Sequence, residues 1–255
     1  MKTVGVIQSS YIPWKGYFDL ISDVDLFVFL DDVQFTKADW RNRNAIKTPS
    51  GTRWMTIPVG ARQNRLIHEV ALPDRHWAMK HWTLLKVNYS GAPFFKQYVP
   101  LLDDIYLGEE HSNLSAFNQY VITRIARECL GITTEFVDSR ELGAVGHKQD
   151  RLLDLLAKAR ADVYVSGPAA RVYIDEDRFE EAGIRLVWKD YGNYPVYQQL
   201  HPPFTHHVTI LDLLFHVGPA APDYIWGWRS HEAGVAPPSL RDARSASVEP
   251  EKSTR

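Results

Sequence analysis

The amino-acid sequence predicts an α/β protein with a Rossmann-like, mostly parallel sheet. Apolar runs long enough for buried strands occur at residues 4–7, 26–30, 134–137, 162–165 and 184–188. Segments with the apolar spacing of helices separate them, at residues 15–21, 149–159 and 175–182. Strands that alternate with helices through short connections are typical of a parallel sheet with helices on its faces. Polar loops follow the first two strands, which is where such a sheet binds its ligands.

A helical insertion interrupts this alternation around residues 75–131. Within it, helices are predicted at residues 76–89, 93–106 and 114–130. An additional strand is predicted at residues 53–59, where Pro58 favours a position at the edge of a sheet. A final helix is predicted at residues 208–216.

Residues 1–228 are therefore expected to form a single α/β domain that carries the helical insertion. Residues 229–255 have few large apolar side chains, which predicts a disordered tail. The formal charge of −2, from 29 basic and 31 acidic residues, predicts no general recruitment of nucleic acid or anionic lipid. The first apolar stretch is too short for a signal peptide or a membrane span, so no membrane insertion is expected. The one cysteine, Cys129, fits a reducing cytoplasm.

The loop at residues 8–18, after the first predicted strand, is a candidate ligand site. It combines an amide, hydroxyls, aromatic rings and an amine, and its candidate binding residues are Gln8, Ser10, Tyr11, Trp14 and Lys15. Burying so many polar groups without partners is unfavourable, which indicates a polar ligand. A helix start at Lys15, with Gly16 beside it, would let the backbone approach an anion. The alternative is that Pro13 and Trp14 only pack the helix against the sheet.

Two carboxylates, Asp31 and Asp32, follow the second predicted strand, with Gln34 nearby. They are suited to holding a sugar hydroxyl or an amine, and Asp32 is a candidate general base. Adjacent residues of a strand point in different directions, so a dedicated metal cage is not expected. The alternative is that Asp32 simply caps the following turn.

Two groups of cationic and amide residues are candidate anion contacts. The first follows Trp40 and consists of Arg41, Asn42, Arg43 and Asn44. The second consists of Lys148 and Arg151, in the first turn of a predicted helix, where the helix dipole disfavours positive charge. A bound phosphate or carboxylate would relieve that conflict, and arginine can hold either with two hydrogen bonds. For the first group, the alternative is that its arginines are solvated surface residues. For the second, it is that the helix simply tolerates the small unfavourable interaction with its dipole.

Two later segments carry further candidates. Ser166 and Gly167 lie in a loop of small residues after a predicted strand, where a ligand can come close, although such a loop can also be a plain turn. His206 is the best acid/base candidate by residue type, although a capped or core-linked histidine near the helix start at Asp212 is an equally good interpretation. The sequence contains no zinc-ligand spacing, phosphate-binding loop, Gly-x-Ser-x-Gly elbow or dinucleotide fingerprint.

These segments together resemble the WbqC-like family of bacterial proteins. The likeness extends to about Tyr224, and its most specific parts are residues 7–21 and 30–35. The other matching parts are residues 40–44, Lys148 with Arg151, residues 166–170 with Tyr173 and Asp175, and parts of residues 203–215. Many family members carry His-Gln-Pro where this chain has Ile7-Gln8-Ser9, so no role for that histidine transfers. The resemblance implies surface-polysaccharide (O-antigen) biosynthesis and a proposed transfer of glycine or a related acyl group to an amino sugar.

The first strand, loop, helix and second strand are also similar to the opening βαβ unit of nucleotidyltransferase-like enzymes, including the pantothenate synthetase type. Trp14 and Tyr17 stand where those enzymes carry the histidines of a His-x-Gly-His signature. This resemblance implies a nucleotidyltransferase-like arrangement of the sheet, without the usual phosphate chemistry.

The favoured hypothesis is a cytoplasmic acyl or aminoacyl transferase that acts on the amine of a nucleotide-linked amino sugar. Asp32 or His206 would take the proton of the amine, and Gln8 with Ser10 would hold the acyl oxygen. The groups that would bind phosphate or carboxylate are Arg41, Arg43, Lys148 and Arg151. Expected partners are a nucleotide sugar and an acyl or aminoacyl carrier, with aminoacyl-tRNA as the one possible nucleic acid. The alternatives are an ATP-dependent ligase or nucleotidyltransferase, with ATP as its cofactor, and a noncatalytic module that binds a sugar or carrier.

Overall fold

The computed structural model describes residues 1–62, 64–108 and 110–229. In chain order, its strands and α-helices are β1 (Thr3–Ile7), α1 (Lys15–Ser22), β2 (Leu26–Phe29), β3 (Arg43–Thr48), β4 (Gly51–Thr56), α2 (His76–Tyr89), α3 (Phe95–Leu107), α4 (Leu114–Arg124), β5 (Glu135–Asp138), α5 (Ser139–Leu142), α6 (Lys148–Lys158), β6 (Val163–Ser166), α7 (Asp177–Glu181), β7 (Arg185–Trp188) and α8 (Ile210–Val217). Short 3₁₀ turns lie at Ile67–Glu69, Pro168–Val172 and Gly218–Tyr224, and a π turn lies at Ile125–Cys129.

Five strands form one parallel sheet in the order β5-β2-β1-β6-β7. The chain first builds outward from β1 to β2 and β5, then returns to the other side of β1 to add β6 and β7. This is the strand order of a doubly wound sheet, with its topological switch point between β1 and β6. The prediction of a Rossmann-like α/β fold is confirmed.

Helices cover both faces of the sheet because the strands are apolar on both sides. On one face, Val4 and Val6 of β1 join a core with Leu155 of α6 and Phe179 of α7. The opposite face packs into a larger core that includes α1, the helical insertion α2–α4 and α8. Close packing of α1 on β1 requires a glycine at position 5, since a Cβ there would lie 2.8 Å from Leu20 Cδ2.

The strand predicted at residues 53–59 is instead part of a separate antiparallel hairpin of β3 and β4. The hairpin includes Arg43 and Asn44, which the sequence had grouped into a polar cluster outside any strand. Cationic residues at alternate positions of β3, such as Arg43 and Lys47, hid its strand pattern. Gly51 makes the turn between the strands with a φ of +103°, a conformation that other residues rarely adopt.

The helical insertion lies close to its predicted position. The first helix of this insertion has the predicted bounds, and the second begins two residues later, at Phe95. The predicted third helix is divided into α4 and the π turn Ile125–Cys129, before Gly131 reverses the chain with a φ of +65°. The short helix α5 was not predicted. In the described part of the chain, no helix combines the length and apolarity that a membrane crossing requires.

The tail predicted at residues 229–255 lies outside the described residues, except for Arg229. The Arg229 guanidinium donates hydrogen bonds of 2.9 and 2.7 Å to the two carboxylate oxygens of Asp19 in α1. Asp19 is fully buried and also binds Lys189, which follows β7, at 2.7 Å. This charged cluster therefore joins α1, the end of the sheet and the last described residue.

Candidate functional site: a crevice at the switch point

A crevice of about 750 Å³ lies at the carboxyl ends of β1 and β6, on the face of the sheet covered by α6 and α7. Its lining comes from both halves of the sheet and consists of Val6, Gln8, Leu30, Val33, Tyr164, Tyr173, Ile174, Arg178 and residues 147–152. Side chains alternate along a strand, so Gln8 points to the same face as Val4 and Val6. The sheet therefore places Gln8 in the crevice, in the position where doubly wound folds bind ligands.

The first turn of α6 supplies most of the charge in this crevice. Lys148 is exposed, and it forms no ion pair within the described residues. Its φ of +50° is an unfavourable backbone conformation for a residue with a Cβ. The helix has no side-chain cap at its N-terminus, so its end can bind an anion. Lys148 is thus the cation of the crevice that is most available to a ligand.

The two arginines that line the crevice are held by carboxylates. Arg151 donates a hydrogen bond to Asp32, and Asp32 also accepts one from the Ser139 hydroxyl at 2.6 Å. Arg178 donates to Asp150 at 2.5 Å. These pairs orient the guanidiniums at the edge of the crevice, and they leave part of each planar donor group available.

Gln8 and Gln149 fix the polar walls of the crevice in different ways. The Gln8 Oε1 atom accepts a hydrogen bond of 2.8 Å from Arg41 Nη1, which orients the side-chain amide. Gln149 pairs with the backbone of Asp175 through two hydrogen bonds, of 2.6 and 2.9 Å. Gln149 thereby attaches the first turn of α6 to the segment before α7. Gln8 keeps its Nε2 group available as a donor toward a ligand, since that group has no acceptor among the described residues.

Asp31 is buried in a network of neutral donors behind the crevice. It accepts hydrogen bonds from the Ser9 backbone N at 2.8 Å, from Gln119 Nε2 at 3.0 Å and from the Ser115 hydroxyl. Gln119 also donates to Asp138 at 2.8 Å, at the end of β5. Asp31 therefore joins the ends of β2 and β5 to α4, and it is not exposed to the crevice.

The loop after β1 is shaped by the two asparagines around the start of β3. Asn44 Nδ2 donates to the carbonyl oxygens of Ile12 at 2.7 Å and Tyr11 at 3.2 Å. Ile12 has a φ of +38°, which is unusual for a β-branched residue and needs such external support. Asn42 Nδ2 donates to Ile57 O at 2.9 Å. Both asparagines are buried and hold the backbone in place, away from the crevice lining.

Tyr11 and Ser10 are buried on the insertion side of the loop. The Tyr11 hydroxyl is hydrogen-bonded at 2.8 Å to both His81 Nδ1 and the Tyr106 hydroxyl. Burial raises the pKa of Tyr11 well above its usual value, with Tyr106 adding to the rise. Tyr11 is therefore a protonated hydrogen-bonding group inside the protein at neutral pH.

Lys15 and His206 are neighbours, but neither lines the crevice. Lys15 is 3% exposed, and its amine lies 4.6 Å from the centre of the Tyr194 ring, to which Trp14 also packs. Burial lowers the pKa of Lys15 to about 8, with Asp19 acting in the opposite direction. Burial, with the nearby charges of Lys15 and His207, lowers the pKa of His206 to about 4. His206 is therefore neutral at physiological pH.

The other predicted site residues also lie outside the crevice lining. Arg43 stacks on the Trp54 ring at 4.3 Å, and Gln34 is exposed beyond β2. Ser166 is buried at the end of β6, and Gly167 lies against Tyr191. The crevice thus brings Gln8, Lys148 and Arg151 together, with Arg41 and Asp32 one hydrogen bond behind them.

Sequence reasoning gave no site role to Arg178, Tyr173 or Gln149. Arg178 lies on a short helix with ordinary surface composition, so the sequence held no signal for it. The positions of Gln149 and Tyr173 did hold a signal, because Gln149 is next to Lys148 and Tyr173 follows the small-residue loop after β6. Cys129 was interpreted as a structural thiol, and burial raises its pKa to about 12, so it is protonated at neutral pH.

The fold and this crevice define a Rossmann-like α/β protein with a polar, partly cationic crevice at the switch point of its sheet. The sequence model of the WbqC-like protein family matches residues 8–224, and the chain belongs to that family. It is also similar to "Uncharacterized protein Rv1507c" of Mycobacterium tuberculosis (strain ATCC 25618 / H37Rv). The two are 47% identical over 227 residues, which cover 88% of this chain and 98% of the relative. No solved structure matches the chain.

Proposed function

We propose that this protein is a cytoplasmic transferase that moves an acyl or aminoacyl group, of the glycyl type, to the amine of a nucleotide-linked amino sugar. The single observation that carries this proposal is the crevice at the switch point, with Lys148 exposed at an uncapped helix start. Doubly wound sheets bind nucleotides at this location, and a helix N-terminus with a lysine favours phosphate. Membership of the WbqC-like family supports a role in surface-polysaccharide biosynthesis.

The residues that line the crevice support separate roles in binding and catalysis within the proposed site. Lys148 and Arg178, which line the crevice, would contact the phosphates, and the exposed Tyr173 ring would contact the sugar or base. Gln8 would donate from Nε2 to the oxygen of the acyl group. Asp32 would take the proton that leaves the attacking amine, after Arg151 shifts toward the ligand.

The position of His206, half-buried and outside the crevice lining, argues against its use as the base. Its ring packs against Phe204, with ring centres 4.5 Å apart, and its Nδ1 is buried without a hydrogen-bond partner among the described residues. In this proposal the ring stays neutral and contributes to packing beside Lys15.

The proposal is tested first by ligand binding. UDP- and dTDP-linked amino sugars, the free nucleotides and ATP are screened by thermal shift and then titrated by calorimetry. A nucleotide sugar is expected to bind, and Lys148→Ala is expected to weaken it about tenfold, or about 1.4 kcal/mol, because one charge-assisted contact is lost. Lys37→Ala removes an exposed lysine elsewhere and serves as the matched control.

Turnover is tested with the amino sugar that binds best. The donors are aminoacyl-tRNA, an acyl group on a carrier protein, and glycine with ATP, and the new amide bond is detected by mass spectrometry. Amide formation that Asp32→Asn reduces and His206→Gln preserves would support the assigned roles. Binding without turnover for all donors would indicate a noncatalytic module. Binding of ATP alone, with release of AMP or pyrophosphate, would favour the ligase alternative.

A further inference from the structure

The hairpin of β3 and β4 has one open edge. Ile57 N donates to Asn42 O at 2.8 Å, which identifies that pair as hydrogen-bonded in the antiparallel ladder. Such pairs alternate along a ladder, so the backbone groups of Thr52, Trp54 and Thr56 point away from β3. A hydrogen bond between the His81 ring and the Thr56 backbone agrees with this direction.

The two outer edges of the hairpin differ in how they are covered. On β3, Lys47 N donates to the Tyr89 hydroxyl at 2.8 Å, and Ala45 O accepts from Thr209 N at 2.9 Å. On β4, the outward backbone groups of Thr52 and Trp54 have no hydrogen-bond partner within residues 1–62, 64–108 and 110–229. Natural proteins usually cover or block such an edge, because it can pair with another strand.

An open groove of about 1040 Å³ runs between β4 and α2 beside this edge. Its surface includes three large exposed apolar side chains, Trp54 at 47%, Met79 at 57% and Val87 at 74%. Met79 and Val87 are eight residues apart on α2, so they lie on the same side of the helix. Exposed apolar side chains grouped around a groove mark a place where another molecule binds.

The charges around the groove are mainly positive. Arg53 and Lys80 line it, and neither forms an ion pair within the described part of the chain. Arg43 of β3 stacks on the ring of Trp54, which lines the groove, and adds a further positive charge beside it. The carboxylate in the lining, Asp74, is already hydrogen-bonded to His76 at 2.7 Å. A ligand with carboxylates is therefore complementary to the groove.

We propose that the groove binds an extended acidic peptide segment of a partner protein, which pairs with β4 as a third strand. The backbone of the peptide would bond to the outward groups of Thr52 and Trp54. Alternate side chains would then enter the groove, where Val, Ile or Phe would pack on Met79 and Val87. Asp or Glu in the peptide would pair with Arg53 and Lys80.

The test begins with selection from a library of displayed random peptides against the full chain. The expected result is enrichment of apolar residues that alternate with Asp or Glu. One selected peptide is then synthesised with a fluorophore and titrated by anisotropy. Lys80→Glu is expected to weaken its binding about tenfold, and Lys37→Glu, an exposed control elsewhere, is expected to have no effect.

Two measurements distinguish pairing of the peptide with β4 from nonspecific binding. A peptide methylated on alternate backbone nitrogens is expected to lose binding when the methyl groups face β4 and to keep it when they face solvent. Hydrogen exchange is expected to show new protection at the amides of Thr52 and Trp54 when the unmodified peptide is added, while Arg53 and Met55, which already pair with β3, change little. Met79→Glu, on the exposed side of α2, tests the apolar contact without disturbing the core.

Several results would overturn the proposal. They are a selection that enriches no sequence or enriches basic ones, equal binding of both methylated peptides, and no new protection of Thr52 and Trp54 when the peptide is added. Slow exchange at the outward amides of Thr52 and Trp54 in the free protein would also contradict it. Two outcomes in the absence of peptide would name another partner for the β4 edge. Protection that rises with protein concentration would mean that a second copy of the chain pairs with it. Protection that is lost when residues 230–255 are removed would mean that the chain's own C-terminal segment covers it.

Discussion

At the scale of single residues, the buried side chains of the insertion and the loop after β1 depend on each other. His81 lies in the groove beside β4, and its ring also contacts Tyr11 of the loop. Burial lowers the pKa of His81 to about 4, partly opposed by a hydrogen bond that the ring donates to the Thr56 backbone. The folded protein therefore holds this ring in its neutral form.

This shift predicts loss of stability in acid. The unfolded chain binds a proton at His81 near pH 6.5, and the folded chain does so near pH 4. The contribution of the neutral His81 ring to the free energy of unfolding is thus fully present above pH 6.5. As the pH falls from 6.5 toward 4, on the order of 2–3 kcal/mol of this stability is lost. Urea unfolding followed across this range is expected to show a shallower pH slope for His81→Gln than for the wild type. An unchanged slope would contradict the assignment.

At the scale of elements, the contact of α1 with β1 sets the geometry of the loop between them. The loop leaves β1 at Gln8 and enters α1 at Lys15, so the distance between strand and helix determines where it can run. A Cβ at position 5 would meet Leu20 at 2.8 Å and Phe27 at 3.4 Å. Both neighbours are fully buried or nearly so, and they have little room to move.

Gly5→Ala is therefore expected to destabilise the fold by about 1–3 kcal/mol, because it overpacks this contact. The free energy of unfolding is measured by urea titration. Gly91→Ala is the matched control, since its nearest neighbour would be Leu200 at an ordinary distance of 3.8 Å. Equal stability of the two variants would show that α1 can move away from β1 at little cost, and would contradict this close contact.

At the scale of the whole molecule, one buried ionic cluster connects distant parts of the chain. Asp19 accepts hydrogen bonds from Lys189 at 2.7 Å, Tyr194 at 2.5 Å and Arg229. These partners are separated from Asp19 by 170 residues or more. Lys189 is itself buried and also binds Asp23, at 2.5 Å. Removing Asp19 would leave buried positive charge without its main partner.

Asp19→Ala is expected to destabilise the protein by about 3–5 kcal/mol, because breaking a buried pair costs more than the pair contributes. Thermal unfolding measured by circular dichroism gives the effect. Glu180→Ala, which removes an exposed carboxylate from α7, is expected to change stability by less than about 0.5 kcal/mol. If Asp19→Ala loses as little stability as Glu180→Ala, the buried ionic cluster does not contribute to the stability of the fold.

The sequence by itself determined the five parallel strands, the helices between them and the helical insertion, because these depend on local apolar spacing. It also predicted that Gln8, Lys148 and Arg151 lie at one edge of the sheet, since polar residues that follow strands or begin helices meet there, and the structure brings the three into one crevice.

Only the tertiary structure decided which polar groups face the crevice. Asn44, Asp31, Lys15 and His206 look like site residues in the sequence, but the structure uses their side chains elsewhere. Asn44, Asp31 and Lys15 are buried and bind groups far along the chain, and the half-buried His206 packs against Tyr194. The same holds for the free edge of β4, whose exposure depends on where α2 packs. Local patterns fix what a side chain can do, and long-range packing fixes whether its hydrogen-bonding capacity is already taken.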